Sequence, residues 1–235
     1  MTGKVIEVLA NRECVYVFLD RFQAGKLLSK QLRERSGNRE NVILLALPAG
    51  GVPVGYVVAK ELGIAMDFAI VRKLQIPWNA EAGFGAVTWD GETVLNYNLI
   101  KRLGLTKEEI ETSILQTRKN VQERIRVFRK NKPMPTLKNK VILLVDDGLA
   151  SGFTMLAAAR SVRKKTPKKT IVAVPTASLG AVELLVPEVD AIVCLNIRSG
   201  PVFAVADAYK NWYDLTDEKA IGILQKTMRR SSNRL

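Results

Sequence analysis

The chain has no histidine among its 235 residues. That excludes a Ser-His-Asp or Cys-His nucleophile pair, a histidine-based zinc site and an imidazole proton shuttle. Cysteine is nearly as scarce: Cys14 and Cys194 stand far apart and match no metal-ligand spacing. Both lie in apolar stretches, where a cysteine reads as a small buried hydrophobe. No apolar run approaches the ~20 residues that a membrane span needs. The first residues, MTGKVIEVLANRECVYVFLDR, lack a continuous apolar h-region and a small-residue cleavage site, so no signal peptide is expected. A cytoplasmic protein is the expectation. Two common phosphate-binding patterns are missing as well. There is no GxxxxGK, and GFGAVT at 83–88 lacks the third glycine of a dinucleotide fingerprint. Chemistry is left to carboxylates, lysine, tyrosine, backbone dipoles or a hard cation held by oxygen.

What the chain has in excess is positive charge, formally +13. It concentrates in three stretches, Arg118 to Lys132, Arg160 to Lys169 and Lys226 to Arg234. Solvated helix faces and a frayed tail would account for much of it. For the tail that reading is preferred; for the whole protein attraction of a polyphosphate substrate is the better fit, and nucleic acid stays open because the field does not distinguish the two. The hydrophobic fraction of 47% is ordinary, and the length suits one large domain or a domain with a sizeable insertion.

The most informative stretch is Val141 to Thr154, VILLVDDGLASGFT. Five apolar residues bounded by turn residues predict a strand buried on both faces. That strand delivers Asp146 and Asp147 to its carboxyl end, where open α/β sheets bind ligands. Gly148, Ala150, Ser151 and Gly152 are small enough for backbone N–H groups to approach an anion. Thr154 then opens a helix whose N-terminal partial charge favours that anion. The bland alternative is a strand ending in a solvated acidic turn. Adjacent carboxylates repel, however, so a fold gains little from them without a cation or hydroxyls nearby. A ligand with hydroxyls and a phosphate suits the layout: a sugar phosphate.

Elsewhere the pattern alternates. Asp20 is placed to cap a helix over Phe22–Leu32. Val42–Leu47 predicts a second buried strand, followed by Pro48-Ala49-Gly50-Gly51 and a helix opening near Pro53. Asp67–Val71 predicts a third strand ending in Arg72 and Lys73. Thr170–Val174 and Ala191–Leu195 predict further strands, with a helix from Ser178 between them. Strands alternating with helices argue a parallel α/β sheet. Between Leu74 and Lys140 the alternation stops. Scattered Gly, Pro, Asn and Trp there predict a mobile loop or small hairpin. A helix then follows from Thr106, with Glu109 completing a capping box, and ends before Pro133 and Pro135. Such a long helix reads as a brace for the fold or for a dimer.

At Val141–Thr154 the chain resembles the type I phosphoribosyltransferases, whose signature is an apolar strand, two acids, a short turn and a Ser/Thr-Gly-x-Thr loop before a helix. The resemblance implies a Rossmann-like parallel sheet flanked by helices in one domain over 1–235, with an insertion at 74–140 and a C-terminal hood over 200–235. It implies transfer of a 5-phosphoribosyl group from 5-phosphoribosyl 1-diphosphate to a nucleobase, with Mg²⁺ and a homodimer. Asp146 and Asp147 would hold the ribose hydroxyls and, through them or water, the metal. Ala150, Ser151, Gly152, Phe153 and Thr154 would grip the 5-phosphate. Ala49, Gly50, Gly51, Arg72 and Lys73 would receive the pyrophosphate, and a loop around Ala82 to Thr88 would close over the site. The segment Phe203 to Tyr213 resembles the base clamp of purine enzymes, with Phe203 stacking and Trp212 and Tyr213 as anchors. Two departures stand out. Ala49 replaces a basic residue found in many relatives, and Ala150 replaces an aspartate that handles a ring proton in hypoxanthine/guanine enzymes. The acceptor therefore stays open. A second function remains: a regulator that binds the sugar diphosphate and nucleic acid without turnover, supported by the charge and by Ala49 but carrying no helix-turn-helix or other recognisable nucleic-acid module.

Overall fold

The computed structural model describes residues 4–33, 41–130 and 132–223. Its main sheet is parallel throughout, in the order β1–β9–β8–β7–β2–β3. These strands are β1 (Val5–Glu7), β2 (Val42–Ala46), β3 (Ala65–Phe68), β7 (Val141–Val145), β8 (Lys169–Ser178) and β9 (Ala191–Arg198). Central strands β2 and β7 are VILLA and VILLV. In β7, Ile142 and Leu144 join one apolar cluster while Leu143 and Val145 join another. Side chains alternate across a strand, so a strand covered on both faces must be apolar at every position. Helices α1 (Arg21–Arg33) and α2 (Gly51–Leu62) cover one face. Helices α5 (Phe153–Arg163) and α6 (Leu179–Leu185) cover the other. Each fully buried Leu or Ile here contributes roughly 1.5–3 kcal/mol.

The helix starts follow their local chemistry. Asp20 accepts the Gln23 amide at 2.8 Å, while Gln23 Oε1 accepts the Leu19 amide at 2.6 Å. Thr106 Oγ1 accepts the Glu109 amide, and Glu109 Oε2 accepts the Thr106 amide at 2.8 Å, so the capping box is complete. It opens α4 (Lys107–Arg129), which stops at Lys130 in the left-handed region, short of Pro133.

Three expectations need correction. The apolar stretch Asp67–Val71 is not one strand: β3 ends at Phe68 and β4 (Val71–Ile76) begins a separate antiparallel sheet, β4–β5–β6. Ala69 and Ile70, both fully buried, carry the chain between sheets, and burial without a turn residue hides that change of layer in the sequence. Arg72 and Lys73 therefore lie within β4 rather than at an end of the main sheet. Ala82–Thr88 is no closing loop; of the two expectations for this stretch, the small hairpin is the one the structure has. The stretch belongs to β5 (Asn79–Thr88), which pairs with β4 on one side and β6 (Thr93–Leu95) on the other. Its glycines look like loop signals, yet a Cβ on Gly85 would sit 2.3 Å from the Val94 carbonyl oxygen, so glycine permits the close pairing. Cys14 is exposed, because its apolar neighbours lie in an irregular surface stretch, whereas Cys194 is buried in β9 as expected. A short helix α3 (Tyr97–Leu103) and α4 pack with this second sheet around Phe84, Leu74 and Val121. The basic tail Lys226–Arg234 lies outside the described residues.

Candidate active site

Strands β2 and β7 are neighbours, and the chain order reverses between them. A crevice forms at such a point, because the loops after the two strands depart in opposite directions. The loop after β2 is Pro48-Ala49-Gly50, leading into α2 at Gly51. Its Pro48–Ala49 peptide bond is cis. The Leu47 amide donates to the Val145 carbonyl at 2.9 Å, which ties the loop to the end of β7. Gly50 lies against the acid pair: a Cβ there would fall 2.2 Å from Asp147 Oδ2. Only a residue without a side chain lets the two loops meet this closely.

The acids differ in surroundings. Asp147 is buried, and Arg21 Nε donates to its Oδ2 at 2.8 Å. Tyr209, also buried, donates its hydroxyl to the Asp147 carbonyl at 2.6 Å. Arg21 Nη1 donates to the Tyr213 carbonyl at 2.9 Å, and the guanidinium carbon sits 3.9 Å from the centre of the Trp212 ring. Arg21 thus ties the C-terminal segment to the acid pair, and the Tyr209 ring lies 5.4 Å from that of Trp212. Asp146 accepts the Asp147 amide at 2.8 Å through Oδ1. Loss of water around its carboxyl, and then the Asp147 carboxylate beside it, push its pKa well above the ordinary carboxylate range.

Residues Gly148 to Thr154 line a cavity of about 390 Å³, closed on the opposite side by Lys73, Gly83 and Gly85 of the second sheet and by Val205. The loop is held from behind. Leu149 bridges to Ala177 of β8, and the Ser178 hydroxyl donates to the Ala150 carbonyl at 2.6 Å. The first turn of α5 contributes backbone N–H groups that have no intrahelical acceptor. Lys73 thus faces the predicted phosphate loop. Asp146 and Asp147 lie outside this lining, as does Phe203, which stacks on Arg198 with 4.5 Å between the guanidinium carbon and the ring centre.

Arg72 and Lys73 also line a second cavity, of about 460 Å³, between β4 and α4. Burial, and then the nearby Arg124, lower the pKa of Arg72, with Asp217 acting in the opposite sense. Arg124, buried on α4, donates through Nε to Asp217 Oδ2 at 2.7 Å and through Nη2 to Oδ1. Its Nη1 reaches the Pro48 carbonyl at 3.4 Å. Sequence reasoning missed Arg21, Arg124, Asp217 and Tyr209. Arg21 carried a usable signal. A cation in the first turn of a helix opposes the helix dipole, so it needs a partner elsewhere.

The phosphoribosyl transferase domain family matches residues 93–208. Two Mycobacterium tuberculosis proteins, provisionally named phosphoribosyl transferases, are 33% identical over 213 residues, which is 91% of this chain and 47% of theirs. The crystal structure of TT1426 from Thermus thermophilus shares 34% identity, covering 89% of this chain and 98% of that one, with a TM-score of 0.71. The chain belongs to the phosphoribosyltransferase family. It spans about half the length of the Mycobacterium tuberculosis relatives it matches.

In this phosphoribosyltransferase-family chain the basic stretch Arg160–Lys169 is largely paired. Arg160 and Arg163 bind Glu188, Lys164 binds Glu92, and Lys165 lies 3.6 Å from Asp90. Among the described residues no helix is long and apolar enough to cross a membrane. Nor is any group of three or more His, Cys, Asp or Glu among them placed to hold a metal ion.

Proposed function

We propose that the protein transfers a 5-phosphoribosyl group from 5-phosphoribosyl 1-diphosphate to a nucleobase-like acceptor. One observation carries this reading: the Gly50 backbone abuts the Asp147 carboxylate, so the loop after β2 and the acid pair after β7 border one crevice. Ala150 to Thr154 bind the 5-phosphate through loop amides and the Ser151 and Thr154 hydroxyls, with Lys73 across the cavity as counter-ion. The acids hold the ribose hydroxyls. Gly50, Gly51 and Arg72 receive the diphosphate. As the bond from C1 to the diphosphate breaks, positive charge grows on the ribose ring, and the carboxylates stabilise it electrostatically. An acceptor nitrogen bonds to C1 and releases its ring proton to water or to the departing group, while pyrophosphate leaves with the electron pair of the broken C1–O bond. No protein nucleophile or histidine is required, because orientation and fixed charge supply most of the effect.

Mg²⁺ fits the site chemically. Asp146 and Asp147 offer carboxylate oxygens, the donor type taken by a hard cation that keeps several of its waters. Asp146 and Asp147 would hold it through water or the ribose hydroxyls, and a bound ion would offset diphosphate charge. The test is pyrophosphate release with Mg²⁺ across a panel of nucleobases, beside calorimetric titration with ribose 5-phosphate. Release with at least one base, together with ribose 5-phosphate binding that weakens in Thr154→Val, is expected. No binding of ribose 5-phosphate at any concentration up to the millimolar range would remove the reading.

A further inference from the structure

The loop Pro48-Ala49-Gly50-Gly51 has no side-chain cation of its own, yet a diphosphate needs positive charge beside the amides that cradle it. The structure brings one from another element. Arg124, on the insertion helix α4, reaches the Pro48 carbonyl with Nη1. Taking the reading of Pro48–Gly51 as the diphosphate loop, we propose that Arg124 is a diphosphate-binding residue and that Asp217 holds its guanidinium until a diphosphate displaces it.

Three features support this. First, Arg124 is buried at 8% exposure, and a buried guanidinium is costly unless paired. Its pairing with Asp217 is two-pronged, Nε and Nη2 each meeting one carboxylate oxygen. The same fork recognises two oxygens of a phosphate. Second, Arg72 lies close enough for Arg124 to depress its pKa and for Asp217 to oppose that effect. Two guanidinia and one carboxylate that act on one another electrostatically leave one positive charge in excess. A diphosphate, carrying more negative charge than one carboxylate, is the better counter-ion for that pair. Third, Asp217 can leave without unfolding its segment. Its side chain is 30% exposed, whereas Leu215, Ala220 and Ile221 around it pack into the apolar cluster of the second sheet. Rotation of one side chain toward solvent frees Arg124.

The experiment titrates wild type, Asp217→Asn and Arg124→Gln with inorganic pyrophosphate and Mg²⁺ by calorimetry, with circular dichroism as the fold control. Removing the competing carboxylate should tighten pyrophosphate binding roughly tenfold, and removing the fork should weaken it by about as much or more. Arg124→Lys, which keeps the charge but not the fork, should fall between wild type and Arg124→Gln, and it replaces the glutamine variant if that one does not fold. Ribose 5-phosphate, titrated in parallel, should bind all the proteins alike. Equal pyrophosphate affinity throughout overturns the proposal. Ribose 5-phosphate that fails to bind even wild type would instead overturn the phosphoribosyl reading, while the pyrophosphate series still decides the role of Arg124.

Discussion

Arg21 and Asp147, 126 positions apart in sequence, form a buried ion pair at 2.8 Å that fastens the first residue of α1 to the acid pair after β7. The pair gives Asp147 a structural load in addition to its proposed contact with ribose. Arg21→Gln leaves a buried carboxylate without its partner and should cost about 3 kcal/mol of stability. In Arg21→Gln/Asp147→Asn, with the charge gone from both sides, part of that loss should return. Urea denaturation of the single and double variants reads this, and simple additivity would contradict the coupling.

Asp147→Asn consequently disturbs fold and chemistry together. Asp146 separates them. Its folded pKa is raised, so the folded state holds its proton to a higher pH than the unfolded chain does. Stability is therefore lost as pH rises from the unfolded value, about 3.9, toward the folded one. Asp146→Asn removes that ionisation and keeps an oxygen for the Asp147 amide. The variant should melt higher than wild type at neutral pH while turnover falls roughly a hundredfold or more. A lower melting temperature would show that the Asp146 charge stabilises the fold.

Asp90 acts in the opposite sense. Burial by itself would raise its pKa, but the Ser161 and Thr88 hydroxyls, each at 2.6 Å, and Lys165 outweigh it and hold the carboxyl below its ordinary value. Its contribution is present above the unfolded pKa, about 3.9, and is lost as pH falls through the lower folded value. Asp90→Asn should be less stable than wild type at neutral pH, and the gap should close in acid, below about pH 4. Melting curves from pH 3 to 7 test it; a gap that stays constant would exclude the carboxylate as the cause.

The two thiols should behave differently. Cys14 is exposed, whereas burial pushes the Cys194 thiol up to about 12. A disulfide reagent at pH 8 should modify Cys14 rapidly in the native protein and Cys194 only after denaturant is added, because the thiolate is the reactive form. Rapid modification of both in the native protein would contradict the burial of β9.

Local chemistry was legible wherever one short segment carried it. VILLVDD and VILLALP announced buried strands because a doubly covered strand is apolar at every position. Asp20 and the Thr106–Glu109 box marked helix starts because capping partners lie within four residues. Misreadings arose where a local signal had a distant cause. The Gly83–Gly85 region looked like a loop, but its glycine answers to the neighbouring Val94 strand. Asp67–Val71 looked like one strand, because apolar burial does not record which sheet is doing the burying.

From its order of residues alone, the chain determined the strand–acid–small loop–helix unit at Val141–Thr154 and the alternation that builds the parallel sheet. Only the tertiary structure decided the surroundings of that unit: Arg21 on Asp147, Lys73 across the cavity from Gly148–Thr154, and Arg124 with Asp217 beside Pro48. The reason is physical. Backbone periodicity and caps act over a few residues and leave a pattern, whereas charges that meet across 126 or 93 positions are paired by packing and leave none.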